Sequence, residues 1–592
     1  MAAEKGSKKG KTQSGAEVFL EILRNYGVEY IFSSPGSEWP PLWEALAVQK
    51  AQGIDGPTYI NIRHEDTAAG VAIGYAKATG KLAVCLVHAS VGTLHAAMGI
   101  RAAHFEKTPV LFCAGESVTF GEGDGSWVGA QWGRYLADYG GPARLVEPFT
   151  KASYGLPTPN TLAGATHRAC QVAMNAPQGP VFLSLPFEYL AQSAVLPAPP
   201  GRTMPVAAQV DPAGLAEAAK LLAEAQSPLI ITENIGSDPK AVAQLIELAE
   251  MTGSVVIESQ QPGYINFPRN HDLHGGFAPG PYLAETDAVL LLDCIVPWYP
   301  PSAAHPKNAT VISISDDPLH ERAPYFGISS DLTLVGDAHA ALTDLLKLMP
   351  NKLRGKKKAA TARCKKIGEA NRKRRAGWAK VCAAQKTTVP IDTRWFALEF
   401  QEVLNEHDAI LVDETILTHW TMAETMNELK PGNFFNALSG GLGIGMGIGL
   451  GVKIANPERP VVTIVGDGTF NYNAPLPALG LSTEYGLPML TIVANNGHYR
   501  SMKMGIEMLY PKGVAKKTGT YYGAEIDSTI NYSVLAEAVG GYAEEVSDPK
   551  EIRPALERAF AAMREGKPAI LDVKLGDDMD FLAPMFAKIM QE

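Results

Sequence analysis

At 592 residues, with 46% hydrophobic and 19% charged side chains, the chain is too long for a single core and predicts about three or four domains. Its net charge of -10 argues against nucleic-acid binding. Six dispersed cysteines, Cys85, Cys113, Cys170, Cys294, Cys364 and Cys382, form no CxxC pair and read as structural thiols of a reducing compartment.

Residues 1–13 carry basic side chains with no apolar run behind them, which predicts a disordered tail rather than a signal peptide. The first α/β unit, 14–195, has strand-like runs at 30–34 (YIFSS), 82–87 (LAVCLV) and 109–115 (PVLFCAG), with helical stretches between them such as 66–79. Proline-rich residues 196–205 (LPAPPGRTMP) read as a linker. A second unit, 206–348, repeats the alternation at 228–232, 254–258, 288–293 and 310–315, and its motifs are chemically mute. Residues 351–390 form a basic connector that includes Lys356, Lys357, Lys358, Lys365, Lys366, Arg372, Lys373, Arg374 and Arg375. It reads as a solvated linker helix, or as a surface attracting a polyanionic substrate tail such as coenzyme A. The third unit, 391–592, has strand-like runs at 409–414, 461–465, 489–494 and 569–575. Its one membrane-like run, 439–452, is glycine-rich and too short to span a bilayer, so no membrane partner is expected and a cytoplasmic protein is predicted. Such repeated alternation predicts three doubly wound α/β domains with parallel sheets.

One constellation carries most of the chemistry. Gly466-Asp467-Gly468-Thr469 follows the run 461–465, and Asn495-Asn496 follows the run 489–494. Both runs are β-branched and apolar, as buried parallel strands are, so both motifs would emerge at one sheet edge. The glycines permit a close backbone approach to a phosphate. Asp467 offers a hard carboxylate oxygen and Asn496 an amide oxygen, a set that suits magnesium completed by phosphate and water. Separately, each motif reads equally as a turn or a loop; together after two strands they indicate a magnesium diphosphate site.

That pairing resembles the signature of thiamin diphosphate enzymes. The flanks resemble the 2-oxo acid decarboxylase and acetolactate synthase superfamily, most of all benzoylformate decarboxylases, at 32–42, 63–76, 88–99, 176–186 and 439–451. The resemblance implies a thiamin diphosphate-binding fold with a pyrimidine-binding first domain, a central domain and a diphosphate-binding third domain. It further implies that Gly466, Asp467, Gly468, Thr469 and Asn496 bind the diphosphate end. Asp467, Asn496 and the main-chain carbonyl of His498 would ligate Mg2+. Glu65 would hydrogen-bond the aminopyrimidine ring, although a first-turn acid favoured by the helix dipole is the alternative. Leu442, beside Gly441, would hold the two cofactor rings bent together, unless the segment is simply tight helix packing. His88 would move a proton at the substrate carbonyl, and Ser37 would bind the substrate carboxylate or stabilise a turn.

Departures from the decarboxylase pattern concern the substrate. Trp298, Tyr299 and Pro300 stand where a second histidine is wanted, and His305 lies too far along to take that role. Ile416 and Leu417 replace hydroxyl side chains, with Thr415 and Thr418 as partial compensation. Glu116 and the loop 122–129 either border the cleft or cap a surface turn. The expected activity is a carbon-carbon lyase, leading with decarboxylation of a 2-oxo acid to an aldehyde. A 2-hydroxyacyl-CoA lyase or an acetolactate synthase-type carboligase is the alternative, and a non-catalytic cofactor-fold protein the remote one. Glu65 and Asp467 lie on different domains, so the resemblance implies a homodimer or homotetramer with active sites at subunit interfaces.

Overall fold

The apolar runs form three six-stranded sheets, and every pairing within them is parallel. The computed structural model describes residues 13–117, 131–194, 204, 206–259, 262–302, 304–320, 327–437, 440–527, 529–577 and 582. Of the expected tail 1–13 only Gln13 is described, and it is not tail but pairs antiparallel with Ala194; residues 1–12, the loop 122–129 and most of the linker 196–205 lie outside the described residues.

The first sheet comprises β1 (Tyr30–Ser33), β2 (Thr58–Asn61), β3 (Ala83–Val87), β4 (Val110–Glu116), β5 (Ala152–Gly155) and β6 (Val181–Pro186), in the order β2-β1-β3-β4-β6-β5. The second comprises β7 (Pro228–Thr232), β8 (Val255–Glu258), β9 (His274–Gly276), β10 (Ala288–Leu292), β11 (Thr310–Ser315) and β12 (Leu332–Val335), in the order β9-β8-β7-β10-β11-β12. The third comprises β13 (Ile410–Glu414), β14 (Phe434–Asn436), β15 (Val461–Gly466), β16 (Leu490–Asn495), β17 (Tyr542–Val546) and β18 (Ala569–Lys574), in the order β14-β13-β15-β16-β18-β17. The first and third sheets thus share one winding, while the second has the 3-2-1-4-5-6 order of dinucleotide-binding folds. Six helices matter below: α1 (Glu65–Thr79), α2 (Ala89–Phe105), α3 (Lys357–Ala383), α4 (Leu417–Thr425), α5 (Gly445–Ala455) and α6 (Asp467–Phe470).

The chain divides into two compact units. One holds the first sheet together with α5. Strands β3 and β6 are buried along their whole length, which is why their sequences are continuously apolar rather than alternating. α5 explains the glycine-rich run at 439–452, because its glycines face α1 at backbone contact distance. A Cβ built on Gly74 would lie 2.0 Å from the Ile448 carbonyl oxygen, and one on Gly451 2.1 Å from that of Val71. The run is apolar because α1 covers it, and no helix among the described residues is long and apolar enough to cross a membrane.

The other unit holds the second and third sheets and α3. A core around Leu290, Ile312 and Leu345 packs the second sheet, and one around Phe396, Phe400, Ile464 and Phe560 packs the third. The basic connector is the 27-residue helix α3, exposed along much of its length but docked rather than free. Asn371 Nδ2 donates to Asp272 O at 2.8 Å, Arg374 pairs with Glu424 at 3.0 Å, and Trp378 Nε1 donates to Thr425 Oγ1 at 3.1 Å. A wholly solvated linker is therefore replaced by a strut that joins the central domain to α4.

Candidate functional site

Two polar clusters stand at carboxyl ends of parallel strands, one in each unit. In the first, β1 and β3 are neighbours, so the turn after β1 meets the residue after β3. That turn carries Ser37 and Glu38, and His88 follows β3. Glu38 is 1% exposed, and its Oε2 lies 2.7 Å from His88 Nδ1 while Oε1 accepts from Ala89 N at 2.6 Å. The hydrogen bond to Glu38 holds the His88 imidazole above its ordinary pKa, against the opposing effect of burial. Two glycines make room for this pair. A Cβ on Gly36 would fall 2.0 Å from His88 Nδ1, and one on Gly115 1.8 Å from Glu38 Cγ. Ala89, first residue of α2, has φ 32, a left-handed conformation that costs a non-glycine residue on the order of 1–3 kcal/mol and here accompanies its bond to Glu38.

Glu65 opens α1 and lies against α2. Its Oε2 is 3.4 Å from His95 Nδ1, and a Cβ on Gly92 would sit 3.1 Å from its Oε1. The rings of His64 and His95 stack with centroids 5.9 Å apart, and burial holds His64 below its ordinary pKa. Gly441 also abuts α2, where a Cβ would come 2.3 Å from Met98 Cε, and Leu442 beside it is half-buried. Ser37 is exposed. This unit thus gathers Glu65, His88, Ser37, Gly441 and Leu442, and adds Glu38, His64 and His95, which sequence reasoning passed over. The seven-residue spacing of His88 and His95 was the available signal for His95; nothing in the sequence singles out Glu38 except its place beside Ser37.

In the second unit, β13, β15 and β16 lie side by side and end together. Asp467 opens α6 immediately after β15 and is 2% exposed. Its Oδ1 accepts from Gly468 N at 2.8 Å, and its Oδ2 accepts from Gly497 N, in the turn after β16, at 2.7 Å. The same turn is tightened by Asn496 Oδ1, which accepts from His498 N at 3.0 Å, while His498 Nδ1 is buried without a hydrogen-bond partner. Thr469 is buried on α6, and its carbonyl accepts from Asn473 Nδ2. Gly466 caps α6 with φ -69, which any residue can adopt, so its backbone does not demand glycine. At Gly468 the reason is space: a Cβ would lie 2.3 Å from the Tyr499 ring.

The carboxyl end of β13 contributes residues the sequence did not single out. Asp413 Oδ1 accepts from Thr415 N at 2.8 Å and Thr415 Oγ1 at 2.7 Å, and its Oδ2 lies 2.7 Å from His419 Nδ1. Glu414 accepts from Asn473 Nδ2 at 2.7 Å. Thr415 therefore spends its hydroxyl proton on Asp413 and keeps only acceptor lone pairs. Trp298 likewise donates its indole N–H to Pro301 O at 3.1 Å and packs edge-on against His305, with centroids 5.8 Å apart.

The turn around Asp467 fits a hard divalent cation. Burial pushes the Asp467 carboxyl above its ordinary range, partly offset by the two backbone N–H bonds and by the charge of Arg500. A carboxylate with two N–H donors keeps further lone pairs, as does the amide oxygen of Asn496. Carboxylate, amide oxygen and main-chain carbonyl are the donors that magnesium takes beside phosphate.

Three family models match the chain in succession. The thiamine pyrophosphate enzyme N-terminal TPP binding domain covers residues 13–128, the central domain 215–345 and the C-terminal TPP binding domain 417–573. The chain is 26% identical to benzoylformate decarboxylase of Pseudomonas aeruginosa, over 93% of this chain and 97% of that protein. It is 27% identical to an acetolactate synthase of Arthrospira platensis, over 96% and 95%. Its fold is similar to the crystal structure of benzoylformate decarboxylase from Polynucleobacter necessarius, with a TM-score of 0.77 at 20% identity, over 95% of this chain and 99% of that one.

Proposed function

Because the chain belongs to the thiamine pyrophosphate enzyme family, we propose that it catalyses the non-oxidative decarboxylation of a 2-oxo acid to an aldehyde, with thiamin diphosphate and Mg2+ as cofactors. The observation that supports this reading most is Asp467, a buried carboxylate fixed by backbone N–H groups from two adjacent strand ends, with Asn496 beside it.

When bound, thiamin diphosphate supplies a carbon nucleophile that doubles as an electron sink. Asp467, Asn496 and the carbonyl of His498 would hold the metal, with Gly466, Gly468 and Thr469 against the diphosphate. Glu65 would hold a proton toward the pyrimidine ring, supported by its place against α2, while Gly441 and Leu442 would line the ring site. His88 has Nδ1 committed to Glu38, which leaves Nε2 to carry a proton to and from the substrate oxygen. Ser37, exposed beside this pair, would orient the substrate carboxylate. Glu65 and Asp467 would be supplied by different subunits of a homodimer, alone or paired into a tetramer.

Carboligation of the acetolactate type is the second reading. It is favoured by the segment 298–305, where an indole N–H already spent on the backbone replaces a second imidazole that would supply the proton that takes the place of carbon dioxide before an aldehyde can leave.

Carbon dioxide and organic products are to be measured from benzoylformate, pyruvate and branched 2-oxo acids, with protein reconstituted with thiamin diphosphate and Mg2+. Equal amounts of carbon dioxide and aldehyde are expected, and a Glu65→Gln variant should fall by about 10²–10⁴-fold in kcat. Carbon dioxide accompanied by a 2-hydroxy-3-oxo acid instead of aldehyde would replace decarboxylation by carboligation. Unchanged turnover in Glu65→Gln would remove Glu65 from the mechanism.

A further inference from the structure

A cavity of about 380 Å3 opens in the central domain, and none of the residues of either polar cluster lines it. Its floor is Pro228 and Leu229 at the start of β7 and Val255 at the start of β8, and one wall is α3. It therefore lies at the amino-terminal edge of the sheet, opposite the edge at which open α/β sheets hold their ligands. Its volume falls within the roughly 300–1,000 Å3 of small-molecule sites.

The lining is two-sided in its chemistry. Leu229, Val255 and Ile367 are apolar, whereas Arg363 and Lys366 bring two cations against the single carboxylate of Glu285. Arg363 is held in place by a bond from one terminal nitrogen to Thr252 O, and its Nε is buried without a hydrogen-bond partner. Burial lowers its pKa, with the nearby Asp287 pulling the other way. Asp287 is itself occupied, its oxygens accepting from Gln226 N at 2.7 Å and Ser227 N at 2.9 Å. Lys366 has no ion-pair partner among the described residues.

We propose that this cavity is a binding site for a small amphipathic monocarboxylate, its carboxylate between Arg363 and Lys366 and its apolar body on Leu229, Val255 and Ile367. A planar carboxylate suits a guanidinium held in one orientation, and one negative charge matches the excess of one cation in the lining. A polyphosphate tail would bring more negative charge than two cations balance, with Glu285 opposing it. The far half of α3 grips α4 through Arg374 and Trp378, so a ligand that ties α3 to the central sheet also steadies the segment after Glu414.

The test is calorimetry on the full chain reconstituted with thiamin diphosphate and Mg2+, titrated with hexanoate, phenylacetate and 4-phenylbutyrate and with the primary amide of each. At least one acid should bind with Kd below about 1 mM, and its amide about tenfold more weakly or not at all. Lys366→Glu should weaken the acid by about tenfold, and Ala370→Trp, which fills the cavity from the exposed side of α3, should abolish binding. Amide hydrogen exchange should slow across 357–383 when the acid is bound. The proposal is overturned if no acid binds up to about 10 mM, if acid and amide bind alike, or if Ala370→Trp binds undiminished, which would place the acid elsewhere. Heat is the readout, so this result and that of the decarboxylation assay are independent.

Discussion

The imidazole of His88 is held at Nδ1 by the buried carboxylate of Glu38. The sequence places this histidine after a strand; only the adjacency of β1 and β3 delivers Glu38, fifty residues earlier, to its Nδ1. That bond fixes the tautomer, with the proton on Nδ1 and the lone pair on Nε2. It also raises the imidazole pKa, so the bond stabilises the fold fully below the unfolded value of about 6.5 and less as pH rises through the higher folded value. Glu38→Gln should bring the His88 NMR titration midpoint down. The fall in Tm relative to wild type should be larger at pH 6 than at pH 9; an equal fall at both would show that Glu38 acts by packing alone. Asp413 and His419 repeat the lesson, since their hydrogen bond spans the end of β13 and the start of α4 and consumes Thr415 on the way.

Among the elements, the central strands of each sheet were read from their apolar runs, and the strands passed over were β6 and all six edge strands. The edges are short, such as the three-residue β9 (His274–Gly276), or partly exposed, such as β17, so they carry no long apolar run. A window of sequence sees hydrophobicity and not neighbours, so these strands give little signal. The pairing of α1 and α5 was equally hidden, since small residues announce close approach without naming the surface approached. Gly74→Ala tests it: the added methyl meets a backbone carbonyl that cannot swing aside, and the unit should lose about 1–3 kcal/mol or more. The first urea unfolding transition, followed by circular dichroism, should move to lower denaturant; no movement would mean the helices separate at little cost.

For the whole molecule, the first and third sheets share a strand order while the second does not, although all three sequences read alike as alternating strands and helices. Each of the two like-wound sheets carries a polar cluster at its carboxyl edge, and the proposed active site combines them across a dimer. Mixing Glu65→Gln and Asp467→Asn subunits tests this directly. In a mixed dimer one site carries both lesions and the other neither, so activity should return to about a quarter of wild type after random exchange. Recovery that fails although subunit exchange is demonstrated would place both residues in one chain's own site.

The sequence by itself determined the fold class, the family and the turns after β15 and β16. Those signals are local: Asp467 needs only the strand before it and the glycines beside it, and Asn496 only its own strand. The tertiary structure decided what depends on neighbours distant along the chain. It assigned Glu38 to His88, spent Thr415 on Asp413, turned the basic connector into a docked strut and laid a cavity beneath it. Parallel sheets cause this division, because every neighbouring strand is reached through a crossover of many residues, and the side chains that meet at a strand end share no stretch of sequence.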